Sequence, residues 1–222
     1  MKKFLVSVLV VALTYGATAQ TISMGPTATI GNSWLGKDRN LAPGSGDKAF
    51  HASYGLGMRM VFSFNTHWGV SSDLNFSSEG GSFKNDVDDL KYVYRANYLR
   101  YSHQVNYFFG NLGNRVRPKL SVGPSAAIYA GGSNKVRDAG TVEAGTEVSS
   151  KNLFKTWDLG VTGAAGVNVR LMKNIWLNAE GNYYHGLTNV NDISDNTLKN
   201  RRLGFTVGLL MGCDMSKYMH KK

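Results

Sequence analysis

The chain has 222 residues, of which 42% are hydrophobic and 11% aromatic, and its 25 Lys and Arg outnumber 15 Asp and Glu to give a net charge of +10. Cys213 is the only cysteine, so there is no internal disulfide and no lipid-anchoring cysteine near the start of the chain. The aromatic residues fall in alternating apolar and polar segments and not beside a basic stripe, so the expected anionic contact is with lipid headgroups and not with nucleic acid.

Met1, Lys2 and Lys3 form a basic start, Phe4 to Leu13 are apolar apart from Ser7, and Ala17-Thr18-Ala19 supplies a small-residue cleavage pattern. Together these predict a secretory signal peptide over residues 1–19. The apolar run is too short to span a bilayer, which takes roughly 20 residues, and no other segment offers half of that length. Helical insertion is therefore not expected.

From Thr21 onward the sequence keeps a two-residue rhythm. The first such segment runs from Thr21 to Trp34. In the second, Ala52 to Phe64, the even positions Tyr54, Leu56, Met58, Met60 and Phe62 are apolar, while Ser53, Gly55, Gly57 and Arg59 are small, polar or charged. Trp68 to Ser78 sets Trp68, Val70, Leu74 and Phe76 against Gly69, Ser71, Asp73 and Asn75. Tyr92 to Phe108 sets Leu99, Tyr101, Val105 and Tyr107 against Arg100, Ser102, Gln104 and Asn106, with His103 breaking the apolar face. Tyr92, Tyr94 and Tyr98 at its start suit an interfacial aromatic girdle.

Lys119 to Ala130 alternates likewise, and Pro124 within it predicts a local bulge because proline cannot donate to a ladder. Leu153 to Leu171 places Trp157, Leu159, Val161 and Val167 opposite Asp158, Thr162, Asn168 and Arg170. Ile175 to Leu187 and Leu203 to Met215 complete the set, the former with Glu180 on its polar face. Strands of about 9–11 residues with this pattern cross a tilted bilayer path.

The connections alternate. Asn65-Thr66, Gly110 to Val116 and Met172 to Asn174 are short, whereas Leu35 to Phe50, Glu79 to Lys91, Gly131 to Asn152 and Thr188 to Arg202 are longer and polar. The expected fold is all-β, an eight-stranded antiparallel up-and-down transmembrane β-barrel over residues 20–216, followed by a basic tail at 217–222. Short turns then face the periplasm and long loops the exterior. A soluble barrel would have its apolar face inward, leaving Arg59, Asp73, Arg100 and Glu180 outside. Here those four residues face the lumen, where a barrel of eight strands leaves room for little beyond side chains, and they are expected to form a structural charge network in a plugged interior.

Asn97-Tyr98-Leu99-Arg100-Tyr101, Ser121-Val122-Gly123-Pro124 and Asn182-Tyr183-Tyr184-His185-Gly186-Leu187-Thr188 resemble segments of the small outer-membrane β-barrel family of Bacteroidetes, the porin-family or PorT-like proteins. The resemblance covers Ile22 to Cys213 and implies an outer-membrane location, with association with secretion machinery as an alternative role. The expected protein is a monomer in outer-membrane lipid that acts through its outer loops, or as an envelope component, without a cofactor. Catalysis is not expected: His51 with Ser53, or His185 near a strand end, are the only candidates for a rim-site lipid-modifying enzyme, and neither forms a motif. Asp86, Asp88 and Asp89 lack a full Ca²⁺ ligand set and read as a solvated loop.

Overall fold

The computed structural model describes residues 21–37, 47–84, 90–111, 113–138, 141–142, 148–151, 153–192 and 197–214. The signal peptide expected at 1–19, the acidic group Asp86, Asp88 and Asp89, and the tail at 217–222 lie outside the described residues.

Eight long strands carry the structure: β1 (Thr21–Lys37), β2 (Ala52–Ser63), β3 (Trp68–Lys84), β4 (Lys91–Phe108), β5 (Val116–Gly131), β6 (Trp157–Met172), β7 (Ile175–Gly186) and β8 (Leu198–Asp214). Each pairs antiparallel with its neighbours in sequence. β8 pairs with β1 from Thr21↔Asp214 to Lys37↔Leu198, so the sheet closes on itself in up-and-down order. Closure leaves these strands no edge and gives their backbone groups partners within the ring.

The alternation maps onto two faces. On β2, Tyr54, Leu56 and Met58 are exposed outward, while Ser53, Arg59 and Val61 are buried inward. Leu74 and Phe76 on β3, Leu99 and Val105 on β4, Leu120 and Val122 on β5, and Leu203, Phe205 and Leu209 on β8 continue the outward apolar belt. The core of the molecule is thus the lumen. It is closed toward the short turns by Val61, Phe108 and Leu210 with Trp176, and toward the long connections by Leu35, Ala96, Tyr98, Ala127, Phe154 and Val190.

Several boundaries differ from the sequence expectation. β3 does not stop at Ser78: it passes through Gly80, whose φ of 131° and whose close approach to the Tyr94 carbonyl admit no side chain, and ends at Lys84. The pair Gly80-Gly81 reads as a turn in sequence but serves a close backbone crossing. β8 starts at Leu198 and not Leu203, and β6 starts at Trp157 and not Leu153, because Phe154 bridges to Asn191 and Lys155 bonds the Val190 carbonyl before the strand begins. Asp47–Ala49 extends along β3, and Ser133–Asp138 along β4, so the long connections contain strand of their own.

The bulge expected at Pro124 is absent. Pro124 pairs with Val161 in an unbroken β5–β6 register, and the β4–β5 register shifts instead between Asn97 and Tyr98. The girdle expectation is also corrected for Tyr94 and Tyr98. These even positions share the parity of Arg100 and turn inward; Tyr98 is buried and Tyr94 packs against the same inner cluster.

Met58 stands in the middle of the outward belt of β2 and its neighbour Arg59 faces the lumen. Met58→Arg is expected to destabilise the barrel by about 2–4 kcal/mol, the cost of arginine on the lipid face at mid-depth. Met58→Leu is expected to be close to neutral because volume and polarity are kept. Reversible urea unfolding in lipid vesicles measures both, and a Met58→Arg protein as stable as wild type would show that this face does not meet lipid.

Candidate functional site

Between the two apolar ends, the lumen contains two ion networks. In the first, Arg59 on β2 is the direct cross-strand partner of Asp73 on β3 and donates from Nε to Asp73 Oδ1 at 2.5 Å. Its other nitrogens reach across the lumen to β7, with Nη2 donating to Glu180 Oε1 at 2.5 Å and Nη1 to Asn178 Oδ1 at 2.6 Å. Lys119 on β5 completes the group, its Nζ lying 2.6 Å from Glu180 Oε2, and Asn178 donates on to Asn168 at 2.6 Å.

The second network centres on Glu79. Arg100 on β4 grips its carboxylate in bidentate fashion, Nε to Oε1 at 3.0 Å and Nη2 to Oε2 at 2.8 Å, while Nη2 also reaches Asp158 Oδ2 on β6 at 2.9 Å. Arg202 on β8 donates to Glu79 Oε1 at 3.0 Å, Ser77 donates to the same oxygen at 2.8 Å, and Asn200 donates to Glu79 Oε2. Tyr184 donates from its hydroxyl to Asp158 at 2.8 Å, and its ring centroid lies 3.7 Å from the Arg100 guanidinium carbon. β7 gives the axial order, because its inward side chains pass from Trp176 in the apolar closure, through Asn178 and Glu180 in the first network, to Tyr184 in the second.

Each network contains two cations and two carboxylates, so each is formally neutral. Charges removed from water are costly unless paired and hydrogen-bonded. The cross-strand register of Arg59 and Asp73, and the bidentate Arg100–Glu79 fork, supply that pairing with short, charge-assisted bonds. What the arrangement does chemically is hold strands on opposite sides of the lumen together and fill the space between them.

Of the four residues expected to share one network, the structure joins Arg59, Asp73 and Glu180 and places Arg100 in the other. Arg100 lies further toward the long-connection end of its strand, level with Glu79 and not with Asp73. Glu79 and Arg202 were missed because sequence reading put them in loops. Continuing the alternation through Gly80, and backward from Leu203 to Asn200, would have placed both on the inward face.

The candidate catalytic residues are not brought together. His51 precedes β2 at its outer end, and its Nδ1 lies 2.9 Å from the Ser82 hydroxyl and not from Ser53. His185 stands 3.3 Å from the Tyr183 hydroxyl, and His103 on the outer face of β4 lies 3.1 Å from that of Ser72. Burial first, then the charges of Arg95 and Lys91, push the His51 imidazole down from its usual value near 6.5 to about 4. Among the described residues no cluster of three or more His, Cys, Asp or Glu could hold a metal ion.

The sequence model of a family described as outer membrane protein beta-barrel domain matches residues 13–192. Among solved structures, the chain is similar to the outer membrane protein OprG of Pseudomonas aeruginosa, with 13% identity and a TM-score of 0.57 over 88% of this chain and 97% of that one. Neisserial surface protein A also matches, with 13% identity and a TM-score of 0.45 over 86% and 96% of the two chains. So does Ail, the attachment invasion locus protein of Yersinia pestis, with 13% identity and a TM-score of 0.42 over 86% and 99%. No curated protein matches the chain in sequence. The likeness to OprG is one of fold.

Two outcomes follow from this chemistry. Arg59→Leu leaves Asp73 and Glu180 without their shared guanidinium and is expected to cost about 3–5 kcal/mol, as for other broken buried pairs. Arg59 and Arg100 share no partner, so substitutions at the two sites are expected to add within about 0.5 kcal/mol in a double-mutant cycle; a larger coupling would mean one network and not two.

For His51, the unfolded chain takes up a proton near pH 6.5 and the folded chain only near 4. The stability it contributes is full above pH 6.5 and is lost as pH falls toward 4, by up to about 3 kcal/mol. His51→Gln is expected to flatten that part of the pH profile in urea unfolding.

Proposed function

This chain belongs to the outer membrane protein β-barrel domain family, and on that premise we propose that it is a monomeric integral barrel without an open pore. In this reading it is exported by a signal peptide cleaved after Ala19, its short turns face the periplasm, and it acts through its outer loops or as a structural or assembly component of the envelope. The observation that carries the proposal is the filled lumen. Arg59, Asp73, Lys119 and Glu180, then Arg100, Glu79, Asp158 and Arg202, occupy successive levels, with apolar clusters at both ends. Side chains alone fill a ring of this size.

The finer assignment to the PorT-like branch in Bacteroidetes, with a partner in secretion machinery, rests on the resemblance of 97–101, 121–124 and 182–188. The reading assigns no enzymatic role to the barrel. Contact with outer-membrane lipid is the partner interaction that the exposed apolar belt favours.

The purified protein is expected to float with outer membranes, to show heat-modifiable gel migration, and to give no large stable conductance in planar bilayers. Steady porin-like currents would overturn the closed-lumen reading. Recovery as a soluble monomer without detergent would overturn the membrane reading itself.

A further inference from the structure

At the long-connection end of the ring, three adjacent strands each contribute one outward residue to a lateral row. Register sets His185 on β7 beside Arg201 on β8, and Arg201 beside Trp34 on β1. One outward step down the strands, Tyr183, Leu203 and Asn32 form the next row, and Gly181, Phe205 and Ile30 the one after. Leu203, Phe205 and Ile30 are exposed, so the upper row stands directly over the apolar belt, at the depth where headgroups meet acyl chains. The aromatic residues suit that depth. Because β8 runs between β7 and β1, the Trp34–Tyr183 ring contact at 6.2 Å bridges it between the rows of Arg201 and Leu203, and the Tyr183 hydroxyl lies 3.3 Å from His185 Nδ1.

Arg201 turns away from the belt, over Gly36, where an added Cβ would come within 3.1 Å of its Nε. What it lacks is an acceptor. The Nε is buried and has no hydrogen-bond partner, and no carboxylate among the described residues lies within salt-bridge distance of this side chain. On these three strands the acidic residues are Glu180, which belongs to the first luminal network, and Asp214, at the opposite end of β8. In the neighbouring connections, Asp192 is exposed and its backbone N–H bonds the Leu153 carbonyl on the approach to β6, while Asp38 and Asp195 lie outside the described residues. Lys199, the next outward residue beyond Arg201, adds a second cation to the same face.

We propose that this rim binds the phosphate of an outer-leaflet lipid headgroup, held by Arg201 with Lys199 beside it. The inference rests on the reading that the barrel spans the outer membrane with its long connections outside. A guanidinium presents a planar fork that phosphate oxygens accept in pairs, whereas an ammonium acts as a point charge. A cation half withdrawn from water needs an anion, and phosphate supplies the charge that the protein does not. The source is a lipid and not a soluble ester, because the site faces outward and exposed Leu203, Phe205 and Ile30 lie immediately below it to meet the acyl chains.

The test uses the full-length chain inserted into phosphatidylcholine vesicles that contain either a bisphosphorylated glucosamine-disaccharide lipid or the same lipid without its phosphates. Folding of every variant is checked by heat-modifiable migration, the barrels are extracted in non-ionic detergent, and the retained lipid is quantified by mass spectrometry. Wild type is expected to retain the phosphorylated form about tenfold over its counterpart, the ratio that one charge-assisted contact supplies. Arg201→Gln is expected to remove most of that preference, and Arg201→Lys, which keeps the charge without the fork, to leave part of it. Lys155→Gln, which removes an exposed cation from the same end beside β6, is expected to leave it unchanged. Equal retention of the two forms by wild type overturns the site without recourse to any variant. A preference that survives Arg201→Gln, or that Lys155→Gln lowers equally, also overturns it, since the basic charge of the whole chain would then be the cause. A chain that stays soluble and does not insert overturns the membrane reading itself, whereas an inserted barrel without the preference overturns the rim site alone.

Discussion

The pairing of β8 with β1 is the interaction on which the rest of this structure depends. In hydrocarbon an unpaired peptide group costs several kcal/mol, so a sheet survives there only if its last strand bonds to its first. Closure after eight strands then sets the width of the interior, which holds side chains and little else. The inward residues have no solvent to turn to, and what they do follows from that confinement. Arg59 bonds Asp73 beside it and Glu180 and Asn178 across the lumen, since its donors have no bulk water to turn to.

Confinement also explains why the charges come in balanced groups. Two cations with two carboxylates at each level offset one another's desolvation, and part of the residual bonding capacity is taken up by Asn178 in one group and by Asn200, Ser77 and Tyr184 in the other. Such networks are weak evidence for stability in themselves, since well-packed apolar residues often do as well. Their consequence is specificity of register. A one-residue slip of β2 against β3 would turn Arg59 toward lipid and Asp73 toward a vacated position, so the ion pair and the apolar belt penalise the same error from opposite faces.

The ring itself was legible from alternation, because period two in the sequence is period two in the strand and lipid enforces it on most outward side chains, His103 and Ser72 being exceptions that bond each other. β2 and β7 show this most directly, with Met58 outside Arg59 and Ala179 outside Glu180. Legibility failed where another rule competed. Gly80-Gly81 has the composition of a turn, yet Gly80 is there because β4 passes too close for a Cβ, and reading it as a turn hid Glu79, the centre of the second network. Pro124 suggested a bulge from its missing N–H, but the register carries through it unbroken. Tyr94 and Tyr98 on β4 have the chemistry of a girdle and the parity of the lumen, and parity prevailed. That Arg100 and Arg59 serve separate groups was out of reach, since axial level depends on register across several strands and no single segment encodes it.

The eight charges of the two networks cancel, so the basic excess of the chain comes from residues outside them. The two ends are unlike. The long connections mix Lys and Arg with the acidic residues Asp47, Asp138, Glu143, Glu147 and Asp192, whereas at the other end the turns 110–116 and 172–174 carry Arg115 and Lys173, and β8 ends on Asp214. The two balanced, buried networks lie between those two ends.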